Sequence, residues 1–249
     1  MQPKPPSLDH NLRYLRLNRI ADIYQEYAAQ AGRKGLSHLQ FLQQIIDEEA
    51  TAKFQRSVRD KIKRARIPVL KTLDAFDWAF HKRIPKQRIL DLFDLDFISK
   101  KTNVIFLGPT GVGKSHLAQA MAYQACLAGI TTVFSTAIGM INYLNAALSD
   151  KTFLKALRRF TSPELLVCDE LGYLPVDKQG ADLLFQVISA RYERGSILLT
   201  SNRAFKDWGK TFNNDNTIAS AVIDRLAHHS EVILIEGDSY RMKGKIPDK

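Results

Sequence analysis

The sequence predicts an α/β protein: a parallel five-stranded sheet flanked by helices, preceded by a small all-helical domain. Three observations predict it. Five short apolar runs alternate with helical stretches after residue 100, and their near-continuous apolar character suits strands buried on both faces. One of them, Val104-Ile-Phe-Leu107, feeds a glycine-rich loop that opens a helix. Ahead of these, the chain from residue 8 to 67 reads as helices. The expected domains are therefore 1–67 and 68–249.

Pro3, Pro5 and Pro6 predict an extended arm. Ser7 is placed to cap a first helix, about Leu8 to Ala31, in which Leu8, Leu12, Leu15, Ile20, Ile23 and Tyr27 recur at roughly helical spacing. Gly32 and Gly35 end it. Ser37 with Gln40 forms a capping box. The helix it starts meets no obvious stop before Pro68, with room to bend on the way.

The second half of that helix is strongly basic. Phe54, Val58, Ile62 and Ala65 follow one stripe at 100° per residue. Lys53, Arg56, Arg59, Lys61, Lys63, Arg64 and Arg66 occupy most of the remaining circumference, opposed by Asp60 alone. A docked apolar stripe with cations around it suits a helix laid along a phosphate backbone. A solvated helix face is the plain alternative. The helix lacks the Asn or Gln with flanking Arg that would read base edges. Binding to duplex DNA is therefore expected to be largely sequence-nonspecific.

Thr102 to Ser115, TNVIFLGPTGVGKS, is the stretch around which the chain is organised. Gly108, Gly113, Lys114 and Ser115 fit G-x-x-x-x-G-K-[ST], and Gly111 adds freedom. Backbone N–H groups must turn inward to cradle a polyphosphate, so positions beside them cannot carry a Cβ. Gly108, Pro109, Thr110, Gly111, Val112, Gly113, Lys114, Ser115 and His116 are expected to bind ATP. Lys114 reaches the β- and γ-phosphates, and the Ser115 hydroxyl binds Mg²⁺. The helix from Lys114 to about Leu127 aims its N-terminal dipole at the anion.

Between the basic helix and this loop, residues 68–101 read as a connector. Phe76, Trp78 and Phe80 cluster there, either near the adenine or as plain core, and Pro85 is placed to begin a short helix, Lys86 to Phe93.

After the loop helix the strands are Thr131 to Ser135, Glu164 to Glu170, Ser196 to Asn202 and Glu231 to Ile235. The helices between them are Ala137 to Leu148, Asp150 to Phe160, Asp182 to Glu193, Ala204 to Phe212 and Thr217 to His228. Ligands of open α/β sheets bind beyond the carboxyl ends of the strands. An acid after four apolar residues is a Walker B signature, so Asp169 is expected to hold Mg²⁺. The adjacent Glu170 is the expected catalytic base, polarising water for in-line attack on the γ-phosphate. Asn202 would orient that water or sense the γ-phosphate. In ring-forming NTPases an arginine placed like Arg225, in Ala-Val-Ile-Asp-Arg-Leu, reaches a neighbour's γ-phosphate. A structural salt bridge with Asp224 or another acid is the alternative. Arg191 and Arg194 are lesser candidates for an interface.

The net charge is +10. The first hundred residues hold 19 Lys and Arg against 12 Asp and Glu, and the remainder 17 against 14, so the excess lies mostly ahead of the loop. That balance suits a nucleic acid or another anionic partner. Cys126 and Cys168 sit in apolar surroundings without C-x-x-C spacing, which suits small buried residues. His228 and His229 have no ligand spacing with another His or Cys. No signal peptide and no run of about 20 apolar residues is present, so a cytoplasmic location without a membrane is expected.

Phosphate loop, Asp-Glu, strand-terminal Asn and the Ile-Asp-Arg-Leu arginine together resemble the AAA+ ATPases. The chain is more closely similar to the IstB/DnaC-like branch, and best to the IstB-type transposition helpers of IS21-family insertion sequences. Leu15-Arg-Leu-Asn18, Lys63-Arg-Ala-Arg-Ile-Pro68, Thr72-Leu-Asp-Ala-Phe-Asp77, Arg191-Tyr-Glu-Arg-Gly195 and Ala221-Val-Ile-Asp-Arg-Leu226 carry that closer match. The resemblance implies an ATPase that assembles as a homo-oligomer on duplex DNA, engages a DDE-type transposase and helps select target DNA. It places phosphate and Mg²⁺ contacts at Lys114, Ser115 and Asp169, water activation at Glu170, sensing at Asn202 and the trans arginine at Arg225. Only Gly237 to Lys249 follow the last strand, so no C-terminal helical lid is expected, and Arg241 is the candidate to replace its sensor arginine.

A helicase loader like DnaC shares the ATPase core, and only the N-terminal part discriminates it. The basic helix favours direct duplex binding. A small-molecule kinase is disfavoured by Glu170 beside Asp169, by the Asn202 strand end and by Arg225, and no acceptor-binding signature is present.

Overall fold

The computed structural model describes residues 7–80 and 84–243, so the proline arm at Pro3, Pro5 and Pro6 lies outside the described residues. The chain divides into two compact units, Met1–Asp60 and Lys61–Lys249.

The first unit holds α1 (Leu8–Tyr14), α2 (Asn18–Lys34) and most of α3 (His38–Ala65). The single helix expected from Leu8 to Ala31 is two helices, broken where Arg16 takes a φ of 58°. The break has a packing reason. Leu12 and Leu17 would lie about 140° apart on one straight helix, yet both pack on Ile20, Ile23 and Ile45. Ser7 caps α1 by accepting from the His10 N–H at 3.2 Å. The N-terminus of α2 has no local cap; buried Glu49 of α3 accepts from the Ile20 N–H at 2.9 Å. The capping box forms as expected. Gln40 Oε1 accepts from the Ser37 N–H, and Ser37 Oγ accepts from the Gln40 N–H.

Helix α3 runs unbroken to Ala65 and stops where Arg66 takes a φ of 55°. Its apolar stripe is docked only in part. Val58 and Ala65 are buried and Ile62 is half-buried, but Phe54 is 54% exposed.

The second unit continues with α4 (Lys86–Leu92) and α5 (Asp96–Ser99), then β1 (Asn103–Leu107), α6 (Lys114–Leu127), β2 (Thr132–Thr136), α7 (Ala137–Ser149), α8 (Phe153–Thr161), β3 (Leu165–Leu171), α9 (Lys178–Arg191), β4 (Ser196–Ser201), α10 (Trp208–Thr211), α11 (Asn216–Ala227) and β5 (Ser230–Leu234). The five strands form one parallel sheet in the order β2-β3-β4-β1-β5. Successive side chains of a strand face opposite ways, and the core divides accordingly. Ile105, Leu107, Leu166 and Cys168 pack with α7, α9 and α11. Val104, Phe106, Leu165 and Val167 pack with α4, α5 and α6. This order puts β1, β3 and β4 side by side, so the ends of all three meet.

Helix α9 starts four residues before the expected Asp182, because Asp177 caps it by accepting from the Gly180 N–H at 2.8 Å. The helix expected from Ala204 to Phe212 is a 3₁₀ turn, Phe205–Asp207, followed by α10.

Arg191 is not an interface residue. It is 1% exposed, and its guanidinium donates to the carbonyls of Phe160, Pro163, Glu164 and Ser196. Burial lowers its pKa to about 10, and the four carbonyls supply the polar contacts a buried cation requires. Arg194 is exposed.

Cys126 and Cys168 are free, buried thiols; burial pushes both up, Cys168 to about 12. After β5, among the described residues, come an extended stretch and a 3₁₀ turn, Tyr240–Met242, with no helical lid. No described helix is long and apolar enough to cross a membrane.

Candidate nucleotide site

The loop between β1 and α6 holds its expected shape through backbone conformations that suit glycine. Gly108, Gly111 and Gly113 have φ of 155°, 87° and 95°. Space restricts two of them further: an added Cβ would collide with the Ile235 carbonyl oxygen at Gly108 and with the Ser239 hydroxyl at Gly111. Pro109 and Thr110 are exposed on the loop, and Val112 is buried beneath it.

Lys114 is 8% exposed, and its Nζ donates to the Gly108 and Pro109 carbonyls, both at 2.7 Å. Burial lowers its pKa from 10.5 to about 8; Asp169 and Glu170 pull it back up, and Arg241 pushes it further down. A buried cation ringed by loop carbonyls is matched to an incoming anion.

Asp169 ends the regular part of β3 and is 4% exposed. Its Oδ1 accepts from Ser115 Oγ at 3.0 Å and also from the Thr200 hydroxyl on the neighbouring strand. Thr200 Oγ1 in turn accepts from the Glu170 N–H at 2.9 Å. Adjacent residues of a regular strand point to opposite faces. Here the β3–β4 register shifts between Cys168 and Leu171, and Glu170 takes a φ of 61°. The bulge exposes the Glu170 side chain and lets it line the same cavity as Lys114, Ser115 and Asn202. The expected set thus converges at the ends of β1, β3 and β4. The sequence marks Thr200 only as one of the polar residues at the end of β4, with Ser201 and Asn202, and assigns it no role. Its signal is a hydroxyl two residues before Asn202, the spacing that puts two side chains on one face of a strand.

His116 sits just inside α6, its Nε2 at 3.0 Å from the Thr72 carbonyl. Phe76 lies edge-on to His116 at 5.3 Å and to Trp78 at 4.7 Å. It both lines the cavity and belongs to the core. Asp77, Tyr240 and Arg241 complete that side of the cavity.

Arg225 does not line the cavity. Its guanidinium stacks 4.7 Å over the Phe185 ring and donates to the Ala221 carbonyl at 3.0 Å. The alternative salt bridge with Asp224 is not formed. Of the basic residues on α3, Arg56, Arg59, Lys63 and Arg64 are exposed and Lys61 is half-buried; Arg66, just past its end, is exposed. Lys53 lies 3.8 Å from Glu49, which offsets its charge.

The IstB-like ATP binding protein family matches residues 10–247. The chain belongs to that family. It is 39% identical over 231 residues to an ATP-binding protein of insertion sequence IS5376 from Geobacillus stearothermophilus, covering 93% of this chain and 92% of that protein. It is 37% identical over 231 residues to the corresponding protein of IS21 from Pseudomonas aeruginosa, covering 93% and 87%. The crystal structure of the DnaC helicase loader superposes with a TM-score of 0.52 at 22% identity, over 66% of this chain and 96% of the loader. That last likeness concerns the fold alone. Family membership makes the chain a P-loop AAA+ ATPase of the IstB type, the family its motifs resemble.

The donor set also fits a magnesium ion, which takes hard oxygen ligands. The buried Asp169 carboxylate and the Ser115 hydroxyl, 3.0 Å apart, are oxygen donors beside the loop. His116, a nitrogen ligand, also lines the cavity, but its Nε2 stands 3.0 Å from the Thr72 carbonyl.

Proposed function

We propose that this ATPase assembles as a homo-oligomer on duplex DNA and assists a DDE-type transposase in selecting target DNA, acting in the cytoplasm. One observation carries the reading. The match to insertion-sequence proteins extends over 93% of the chain, and the family match over residues 10–247 includes the basic helix. The helicase-loader reading is the alternative, and it leaves the basic helix without a role.

In this reading the loop N–H groups and Lys114 hold the ATP phosphates. Ser115 and Asp169 would hold Mg²⁺, which would supply positive charge to offset the charge that develops on the phosphates. Glu170 accepts a proton from the attacking water as the new O–P bond forms and the bond to ADP breaks. Asn202 positions that water or senses the γ-phosphate, and a neighbouring subunit's Arg225 stabilises the charge of the transition state. ATP holds the assembled form, and hydrolysis turns it over. The exposed arginines and lysines of α3 contact phosphates without reading sequence.

The test is light scattering after size exclusion on duplex DNA with ATP, with ADP and without nucleotide, beside Lys114→Ala. A large protein–DNA assembly that needs ATP and fails in Lys114→Ala is expected. A protein that stays small and ignores duplex DNA in every nucleotide state overturns the reading in favour of a loader.

A further inference from the structure

Past β5 the chain crosses the phosphate loop. The Ile235 N–H donates to the Leu107 carbonyl at 2.7 Å, and the Tyr240 N–H donates to the Gly111 carbonyl at 3.0 Å. Gly108 and Gly111 make room for this strap, since a Cβ at either would strike Ile235 or Ser239. The strap then fastens to the segment ahead of α4. Lys243 Nζ pairs with Asp77 Oδ2 at 2.6 Å. The Tyr240 ring lies edge-on to Phe80 at 5.1 Å, and Lys243 Nζ stands 5.0 Å from the Tyr240 ring and 5.5 Å from Phe80. Asp77 is held in turn by the Phe80 N–H, which donates to its other oxygen at 3.1 Å. Asp77, Tyr240 and Arg241 all line the cavity that contains Lys114 and Ser115.

We propose that Asp77–Lys243 and Phe80–Tyr240 form a clasp over the nucleotide cavity that must open for nucleotide to leave, and that sets its residence time. Two segments 166 residues apart in sequence join at the cavity wall, and the strap they anchor is bonded to the loop that holds the phosphates. Asp77 and Lys243 are positioning residues. The pair is partly exposed, at 28% and 49% of the side chains, so it is weak enough to open and sensitive to salt. Mutual pairing, with the Phe80 N–H adding to it on Asp77, holds the carboxyl below and the amine above their usual ranges. The clasp stays ionised through neutral pH and is not a pH switch.

The inference rests on the nucleotide reading, and the test separates the two. A fluorescent ADP analogue is loaded and chased with excess ADP in a stopped-flow instrument. Lys243→Ala, Asp77→Asn and Tyr240→Leu should each release it roughly threefold to tenfold faster than wild type. Wild-type release should quicken with salt more steeply than that of Lys243→Ala. The charge-swapped double variant, Asp77→Lys with Lys243→Asp, should restore slow release. Equal release from wild type and all single variants overturns the clasp but not the nucleotide site. A swapped pair as fast as the singles also overturns it, and a wild type that binds no analogue overturns both.

Discussion

Thr200 donates its hydroxyl to the Asp169 carboxylate across the β3–β4 pair. The same oxygen accepts from the Glu170 N–H, so one hydroxyl on β4 fixes both acids at the end of β3. Groups that orient a metal-binding carboxylate typically matter 10- to 100-fold. Thr200→Val should therefore raise the Mg²⁺ concentration needed for half-maximal ATP hydrolysis by about that factor, and Thr200→Ser should recover most of it. A Mg²⁺ titration of ATPase activity reads both.

Glu170→Gln keeps the shape and removes the base. Hydrolysis should fall by about 10²-fold or more, while ATP stays bound and the DNA-bound assembly persists. Single-turnover hydrolysis and an assembly assay, run together, check it. Full hydrolysis by the variant removes Glu170 from its role.

The amine of Lys114, lowered to about 8, gives the site a pH signature. Between about pH 8 and 10.5 the unfolded chain holds more proton on this lysine than the folded one. Its contribution therefore raises stability as pH climbs through that window. A bound polyphosphate favours the charged amine, so nucleotide binding near pH 8 should take up a fraction of a proton and weaken as pH rises further. Calorimetry in buffers of different ionisation heat measures the uptake, and the share due to Lys114 should fade as pH falls well below 8.

Arg225 stacks on Phe185 and stays out of its own subunit's cavity. If it serves a neighbour, Arg225→Ala and Lys114→Ala should each be nearly inactive alone, the former by about 10³-fold or more. Mixed together they should regain activity, because intact arginines then meet intact sites. A silent mixture removes Arg225 from the neighbour's site.

Replacing Arg59, Lys63 and Arg64 together should weaken duplex binding for every sequence. Each lost phosphate contact should flatten the log–log salt slope by roughly 0.9. Lys53, offset by Glu49, should contribute less than any of the three. Fluorescence anisotropy across a salt series reads both effects, and an unchanged slope moves the DNA surface elsewhere.

What was legible in the sequence is what is contiguous in it. The phosphate loop, the capping box of α3 and the start of α6 follow from neighbouring residues, and each stands where expected. The links that complete the site are made by the sheet instead. Asp169 and Thr200 are 31 residues apart, and only the order β2-β3-β4-β1-β5 brings them together. Asp77 and Lys243 are farther apart still. The break at Arg16 is not legible in the sequence because a loose apolar repeat fits one helix or two, and packing on Ile45 decides between them. The charge of Arg191 suggests an exposed residue, yet it is buried. Its spacing from Leu184 and Val187, both buried on α9, was the available signal that it lies on the buried face.

The two cysteines turn the sheet unit into its own reporter. Cys126 lies inside α6 and Cys168 inside β3, on opposite faces of the sheet, and burial leaves both as unreactive thiols. A thiol reagent should therefore modify them only when that unit opens. The rate of labelling, followed by mass, becomes a clock for local unfolding that needs no engineered probe. It also leaves any cysteine introduced at the surface free to carry a dye without deleting the native pair.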